Sequence, residues 1–201
     1  EMPARDNYAE QPDERLVKAA QRGSMPAFEE LVGRHRDKIY ARAFSMMRNE
    51  DEAMDLSQEA WVKGWQRLKQ FEGESSFVTW MTRIVINLCL DQLRKHKRQR
   101  AESIELLEEE SGGVERQMPV VTHNPTAGLE RGELRKRIDE ALGKLSEAHR
   151  TVLVLHEFEE LEYKEIAKRM GCSIGTVMSR LFYARRRMAT LMAGYKREEM
   201  S

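Results

Sequence analysis

The chain has 201 residues, enough for one large or two small domains, and its 34 Lys and Arg residues balance 34 Asp and Glu residues. No apolar run approaches the length of about 18 residues that a membrane-spanning helix needs, and no signal-peptide pattern is present. We therefore expect a cytoplasmic protein without membrane insertion. The two cysteines lack CxxC spacing and no histidine pairs with them at metal spacing, so we expect reduced thiols, no metal and no cofactor.

Two predicted helices follow a polar N-terminal stretch. Pro12 and Asp13 begin a short helix that Gly23 ends, and Ser24 is the expected N-cap of a longer one. The apolar stripe of this second helix contains His35, which we expect to be a packed histidine rather than a catalytic one. The stripe consists of Phe28, Leu31, Val32, His35, Ile39, Ala43 and Met46.

The third predicted helix carries a mixed acidic and apolar face. Asn49 is its expected N-cap, and the carboxylates of its first turn lie at the positive end of the helix dipole. Its outer face consists of Asp55, Gln58, Glu59, Trp61 and Val62. An exposed tryptophan among carboxylates is typical of a protein interface, where it anchors the contact inside a charged rim. Periodicity alone allows equally that Trp61 packs inside the bundle.

An aromatic loop and a basic helix end come next. Residues 71–76 are predicted to form a loop, with Ser75 or Ser76 capping a fourth helix. That helix ends in the basic residues Arg94, Lys95, Lys97, Arg98 and Arg100. Aromatic rings stack on unpaired bases at about 1–3 kcal/mol each while basic side chains hold phosphates, so the segment predicts a site for melted DNA. The alternative is that the aromatic residues fill a core, which we expect in part for Phe77 and Trp80.

The regular pattern fails over residues 99–128. This stretch contains six glutamates, a Gly-Gly pair and two prolines, which interrupt a helix, so an acidic, flexible linker is predicted. The linker separates residues 12–98 from residues 129–196. The prediction is therefore an all-α fold of two small helical bundles joined by this linker.

The C-terminal segment has the pattern of a helix-turn-helix. An apolar stripe ends at Gly171, which supplies the permissive backbone of a tight turn, and a second stripe follows on one face of a longer helix. Ala167 is small enough for the two helices to cross closely, and Val177 fills the angle between them. The opposite face of the longer helix presents Ser179, Phe182, Tyr183 and Arg186, with Thr176 and Arg180 at its edges. Such a face can enter the major groove of DNA.

Charge favours DNA binding by this segment over a merely solvated helical hairpin. Residues 168–197 contain eight Lys and Arg residues and no Asp or Glu. Such a run of cations provides the attraction to phosphates that DNA binding needs. Across the chain, no pattern gathers a nucleophile, a base and an orienting group, so we predict that the protein is not an enzyme.

Three segments, in this order along the chain, resemble the extracytoplasmic-function (group IV) sigma factors of bacterial RNA polymerase. They are DEAMDLSQEAWVKGWQRLKQF, SSFVTWMTRIVINLCLDQLRK and LSEAHRTVLVLHEFEELEYKEIAKRMGCSIGTVMSRLFYARRRM, and the likeness covers nearly all of residues 13–97 and 129–191. The resemblance implies sigma region 2 in the first bundle and sigma region 4 in the second. It also implies an alternative sigma factor that directs core RNA polymerase to particular promoters and is controlled by an anti-sigma factor.

The resemblance assigns site residues as well. Those expected to dock on the clamp helices of the largest polymerase subunit are Asp55, Gln58, Glu59, Trp61 and Val62. Those expected to capture the melted −10 element, where the family takes a base out of the stack, are Phe71, Ser75, Ser76, Trp80, Arg83, Asn87, Arg94 and Lys95. Those expected to read the −35 duplex are Thr176, Ser179, Arg180, Phe182 and Tyr183, with Arg185, Arg186 and Arg187 nearer the phosphates.

The sequence departs from its relatives on the second helix of the helix-turn-helix. Relatives often carry Arg at the positions of Met178 and Tyr183. An Arg–guanine pair discriminates by about 1–3 kcal/mol, so the exact −35 sequence is left open. In relatives the linker segment runs through the polymerase toward its active centre, where carboxylates could imitate nucleic acid. Two other functions stay open at this point, a dimeric helix-turn-helix transcription regulator and a sigma-mimicking interaction protein.

Overall fold

The structure is a computed structural model, and every residue that it describes lies in a helix or a connecting turn, without any strand. The described residues are 8–108 and 129–198, with side chains described for 8–101 and 132–193. This architecture confirms the expected all-α fold. The chain divides into two compact units, one ending at Leu93 and the other beginning at Arg94. Most of the predicted linker, residues 109–128, lies outside the described residues.

Three complete helices and the start of a fourth make the first unit. They are α1 (Asp13–Gln21), α2 (Met25–Met47), α3 (Glu50–Arg67) and α4 (Phe77–Glu108), with 3-10 turns at Tyr8–Glu10 and Leu68–Gln70. Both predicted caps are confirmed. The Ser24 hydroxyl accepts from the Ala27 N–H at 3.4 Å. The Asn49 side-chain oxygen accepts from the Glu52 N–H at 3.0 Å. Each cap satisfies a donor that the first helical turn leaves without an intrahelical partner, and so fixes where the helix begins.

The core of the first unit lies among α1, α2, α3 and α4. Its fully buried side chains include Leu31, Ile39, Met46 and Met81, each at 0% exposure. Gly64 of α3 lies directly against α4, because a Cβ placed on it would sit 2.5 Å from the sulfur of Met81. The absence of a side chain at this position allows the two helices to approach closely.

Two side chains of α2 attach the N-terminal turn and the start of α1 to the bundle. His35 Nε2 lies 2.6 Å from an Asp13 carboxylate oxygen and its ring centroid lies 6.1 Å from that of Phe77, which agrees with a packed histidine. The Arg34 guanidinium donates to the main-chain carbonyls of Tyr8, Ala9 and Gln11 and to the carboxylates of Asp13 and Glu30. The hydrogen bond with Glu30 contributes most to raising the pKa of Arg34 above its ordinary value.

The second unit is built around its last helix. Besides the end of α4, its helices are α5 (Leu129–Gly143), α6 (Glu147–Leu153), α7 (Tyr163–Met170) and α8 (Ile174–Glu198), with a π-helical turn at Val154–Phe158 after α6. α8 packs against the other three helices. Ser146, a residue type that favours the position just before a helix, caps α6, since its hydroxyl accepts from the His149 N–H at 3.4 Å. The fully buried side chains include Leu142, Leu155, Ile166 and Leu181.

Two features differ from what the sequence led us to expect. The backbone of α4 stays helical to Glu108, although the apolar pattern fails near Ala101, because Ala, Glu and Leu favour a helix without needing a buried face. Leu134, which its spacing of four residues from Ile138 predicts to face inward, is 53% exposed, since burial in α5 begins only near Ile138. Among the described helices, none combines the length and apolar character needed to cross a membrane.

Candidate nucleic-acid interface

The outer face of α3 is set by the side chains that the bundle buries. Ala53, Leu56 and Ala60 face the core with exposures of 0%, 8% and 0%. The opposite side leaves four of the predicted polymerase-docking residues exposed, namely Asp55, Gln58, Glu59 and Val62. Val62 is 56% exposed and Met54 48%. This surface therefore combines carboxylates with large apolar groups, as protein interfaces do.

Trp61 connects this face to the core. Its side chain is half-buried, and its ring centroid lies 6.0 Å from Phe28 and 6.4 Å from Phe77. The ring therefore packs internally and still keeps accessible surface, and its role as an interface anchor stays a prediction. Sequence reasoning missed Met54 as a member of this face. Its position four residues before Gln58, on the same side of a helix, was the signal that could have identified it.

The aromatic loop packs on the start of α4. The Phe71 ring centroid lies 5.2 Å from that of Trp80 and 6.2 Å from that of Phe77. Phe77 is 3% exposed, whereas Phe71 and Trp80 are half-buried. The core interpretation is therefore right for Phe77. Phe71 and Trp80 are the rings of this cluster that retain surface on which a base could stack.

A side chain from α1 holds the loop in place. The amide of Gln21 donates to the main-chain carbonyls of Leu68 at 3.0 Å and Phe71 at 2.8 Å. The hydroxyl of Ser75 donates within the loop, to the carbonyl of Ser76 at 3.4 Å. Sequence reasoning missed Gln21, because no local pattern connects it with a carbonyl 47 residues later.

The first turns of α4 extend the surface beside the loop. Ser76 is the N-cap, since its hydroxyl accepts from the Thr79 N–H at 3.2 Å. Arg83 and Asn87 are exposed and follow Trp80 at i+3 and i+7, the spacing of one helical face. The structure therefore brings the loop and these three α4 side chains onto one surface.

Arg94 and Lys95 lie further along α4. Arg94 begins the second unit, where its guanidinium donates to the main-chain carbonyl of Arg169. Lys95 is exposed. Their assignment to the −10 element stays a prediction.

The helix-turn-helix has the geometry that its glycine requires. Gly171 ends α7 at a φ of +62°, in the left-handed region that glycine adopts without strain. The Ser173 hydroxyl accepts from the Thr176 N–H at 3.0 Å and so caps α8, a role that sequence analysis did not assign. Val177 and Ala167 are 0% and 6% exposed, and α7 packs against α8, which agrees with the expected close crossing of the two helices.

The opposite face of α8 is open. Phe182 and Tyr183 are 59% and 57% exposed, and their ring centroids lie 5.4 Å apart. Ser179 is exposed, and its hydroxyl donates to the Thr176 carbonyl at 3.2 Å. Thr176 and Arg180 are half-buried, as expected for the edges of this face. Five of the predicted −35 residues thus share one side of a single helix.

The three consecutive arginines of α8 differ in their contacts. Arg185 Nε donates to a Glu157 carboxylate oxygen at 2.7 Å, and this hydrogen bond is the main cause that raises the pKa of Arg185. Arg186 and Arg187 are exposed. Arg185 is therefore held in an ion pair with Glu157 in the free protein.

The described residues offer little for metal or thiol chemistry. No group of three His, Cys, Asp or Glu side chains among them could hold a metal ion. Cys89 is buried in the first unit, and burial raises the pKa of its thiol to about 12. Cys172 is partly exposed in the turn between α7 and α8.

Comparison with known proteins agrees with this arrangement of two units. Residues 31–99 match the Sigma-70 region 2 family, and residues 135–188 match the Sigma-70 region 4 family. Over 174 residues the chain is 35% identical to the RNA polymerase sigma-H factor of Pseudomonas aeruginosa, covering 86% of this chain and 90% of that protein. Over 177 residues it is 34% identical to the ECF RNA polymerase sigma-E factor of Escherichia coli K12, again covering 86% and 90%.

Solved structures of two relatives share the fold. The sigma factor RpoE of Bartonella quintana, in complex with the anti-sigma factor NepR, matches with a TM-score of 0.54 and 26% identity over 83% of this chain and 96% of that one. CnrH in complex with the cytosolic domain of CnrY matches with a TM-score of 0.50 and 25% identity over 90% and 97%. With both regions matched in order, the chain belongs to the extracytoplasmic-function group of RNA polymerase sigma factors, which bind core RNA polymerase and promoter DNA.

Proposed function

We propose a division of roles within this sigma factor. The first unit docks on core polymerase through α3 and captures the melted −10 strand with the aromatic loop, and the second unit reads the −35 duplex through α8. The observation that carries the proposal is the pair Phe71 and Trp80, 5.2 Å apart and half-buried at the edge of an otherwise filled core. The protein acts in the cytoplasm by binding polymerase and promoter DNA, and the polymerase forms the phosphodiester bonds of the transcript.

Docking on polymerase is best tested at Val62. This side chain is 56% exposed and is not a member of the buried core, so Val62→Ala removes interface surface without removing packing. Val62→Ala removes two methyl groups that contribute about 0.8 kcal/mol each when buried, so we expect core polymerase to bind roughly tenfold more weakly. Asp55→Ala tests the charged rim in the same assay. Lys38→Ala, at an exposed position of α2, is the matched control.

Trp61→Ala is a less informative variant. Its ring contacts both Phe28 and Phe77, so truncation would disturb the aromatic core as well as the surface. Normal affinity of Val62→Ala and Asp55→Ala for core polymerase would contradict the docking assignment.

Capture of the −10 strand is tested with Phe71→Ala and Trp80→Ala. Because both rings also pack on Phe77, each variant is first shown by circular dichroism to keep its fold. Stacking on a base contributes about 1–3 kcal/mol, so holoenzyme carrying either variant should bind a single-stranded −10 oligonucleotide about 5-fold to 150-fold more weakly. Run-off transcription should remain impaired on a promoter that is already open at −10, because base capture and not strand separation is lost. Full rescue on the open template would contradict a stacking role.

Run-off transcription with core polymerase also separates this function from the alternatives. A dimeric helix-turn-helix regulator would bind paired half-sites about one helical turn apart without polymerase. A sigma-mimicking protein would not support initiation. Promoter-dependent transcripts that require this chain are the expected result.

Control by an anti-sigma factor is the remaining part of the proposal. The structure of RpoE from Bartonella quintana was solved with the anti-sigma factor NepR bound, and that relative matches 83% of this chain. We expect an inhibitor of this chain to lower core polymerase binding and run-off transcription in parallel. An inhibitor that lowered neither when bound would contradict this mode of control.

A further inference from the structure

The first turns of α8 expose a row of large apolar side chains. Ile174, Met178 and Phe182 recur every four residues and are 45%, 53% and 59% exposed. This spacing places them side by side along one row of the helix surface. These three residues form the apolar ridge.

The core of the second unit does not use the apolar ridge. α8 packs through Val177, Leu181 and Ala184, whose exposures are 0%, 1% and 0%. Contiguous apolar surface that the fold leaves uncovered, with polar residues around it, marks a binding surface.

The charge around the ridge favours DNA as its occupant. Residues 168–197 contain eight Lys and Arg residues and no carboxylate, and two of these arginines, Arg169 and Arg185, pair with Glu165 and Glu157 from outside the segment. Arg186 and Arg187 are exposed further along the same helix. Gly175 and Ser179 lie beside the ridge and are small, so the helix can approach a groove closely. DNA fits this surface, because its phosphates are anionic and its major groove presents apolar methyl groups.

The hydrogen-bonding groups of this surface do not suit guanine. Between residues 174 and 183 the charged side chain is Arg180, which is half-buried at the edge of the open face. Guanine is read through paired donors from Arg or Lys in the major groove, whereas thymine presents a C5-methyl group against which apolar side chains pack.

We infer that the apolar ridge reads thymine C5-methyl groups of the −35 duplex, with Met178 and Phe182 each covering a methyl group. This inference rests on the proposed role of α8 in −35 recognition. It makes thymines, and not guanines, the bases specified under the ridge.

Deoxyuridine substitution tests the inference directly. Promoters randomised over the −35 element are first selected for binding by holoenzyme containing the full chain. Each −35 thymine of a selected promoter is then replaced by deoxyuridine, which keeps the base pair and removes only the methyl group. We expect about fourfold weaker binding for each covered methyl, which is 0.8 kcal/mol converted at 1.4 kcal/mol per tenfold.

Variants of the chain assign the methyl groups to side chains. Met178→Ala should abolish the effect of deoxyuridine at one thymine and Phe182→Ala at another, since both side chains are exposed and their truncation leaves the core intact. Met25→Ala, at a methionine of α2 that is 46% exposed, is the matched control and should keep the full effect.

Three results would overturn the inference. Unchanged binding with deoxyuridine at every −35 thymine, while scrambling the −35 element still abolishes transcription, would refute methyl reading and leave the proposed function standing. Selection of no −35 sequence would refute both. Weaker binding of the Met178→Ala and Phe182→Ala variants to core polymerase, with the deoxyuridine effect retained, would make the ridge a protein contact.

Discussion

The contact between α3 and α4 at Gly64 predicts a change in stability whose sign depends on tertiary packing. Gly64→Ala adds a Cβ 2.5 Å from the sulfur of Met81, so this fully buried side chain must shift to admit the new methyl group. Gly33→Ala, in the middle of α2, adds the same atom where nothing lies within 4 Å. The two substitutions are chemically identical and differ only in what the new methyl meets.

The magnitudes follow from two opposing effects. Replacing glycine by alanine inside a helix stabilises it by about 0.8–1.0 kcal/mol, so Gly33→Ala should raise the free energy of unfolding by that amount. Extra volume in a filled core costs about 1–3 kcal/mol. Gly64→Ala should therefore lower the free energy of unfolding by about 0–2 kcal/mol. The unfolding free energy of this variant should lie roughly 1–3 kcal/mol below that of Gly33→Ala.

Urea unfolding followed by tryptophan fluorescence measures this difference in the first unit. All three tryptophans of the chain, Trp61, Trp65 and Trp80, lie in that unit, so the signal is not mixed with unfolding of the second. A double-mutant cycle adds a sharper test. In a Met81→Ala background the cavity accepts the new methyl, so Gly64→Ala should become stabilising. Equal stabilisation by Gly33→Ala and Gly64→Ala in the natural background would refute the close approach of α3 and α4.

Three further predictions concern single contacts. Ser76→Ala removes the N-cap of α4 and should lower the free energy of unfolding of the first unit by about 1 kcal/mol in urea, whereas Ser75→Ala should change it little. Glu157→Gln releases Arg185, which can then reach a phosphate, so the plot of log binding constant against log salt for holoenzyme on −35 duplex should steepen by about 0.9. Burial raises the pKa of the Cys89 thiol to about 12 from 9.0, so the folded first unit keeps a proton that the unfolded chain releases. The free energy of unfolding of the first unit should therefore keep its full value below about pH 9 and fall as the pH rises toward 12. In Cys89→Ala this fall should be smaller.

Each of these has a result that would contradict it. Equal decreases in the free energy of unfolding for Ser75→Ala and Ser76→Ala would contradict the role of Ser76 as the N-cap. An unchanged salt dependence in Glu157→Gln would show that the ion pair does not withhold Arg185 from DNA. The same pH profile in Cys89→Ala would assign the loss of stability to other groups.

Local features of the fold were predictable because their signals lie within one or two helical turns. The caps at Ser24, Asn49 and Ser146 each act on an N–H three residues later, so the residue type and its position are sufficient to identify them. Gly171 was predictable for the same reason, since a left-handed residue at a helix end favours glycine. The order of the motifs was enough to suggest the family.

The sequence by itself determined the helices, their buried stripes and the open face of α8, because periodicity along one helix depends only on neighbours in the chain. Tertiary structure alone decided that Gln21 holds the aromatic loop, that Trp61 belongs to both core and surface, and that Glu157 engages Arg185. These contacts join residues 50, 33 and 28 positions apart, and which of them meet is set by how whole helices pack against one another.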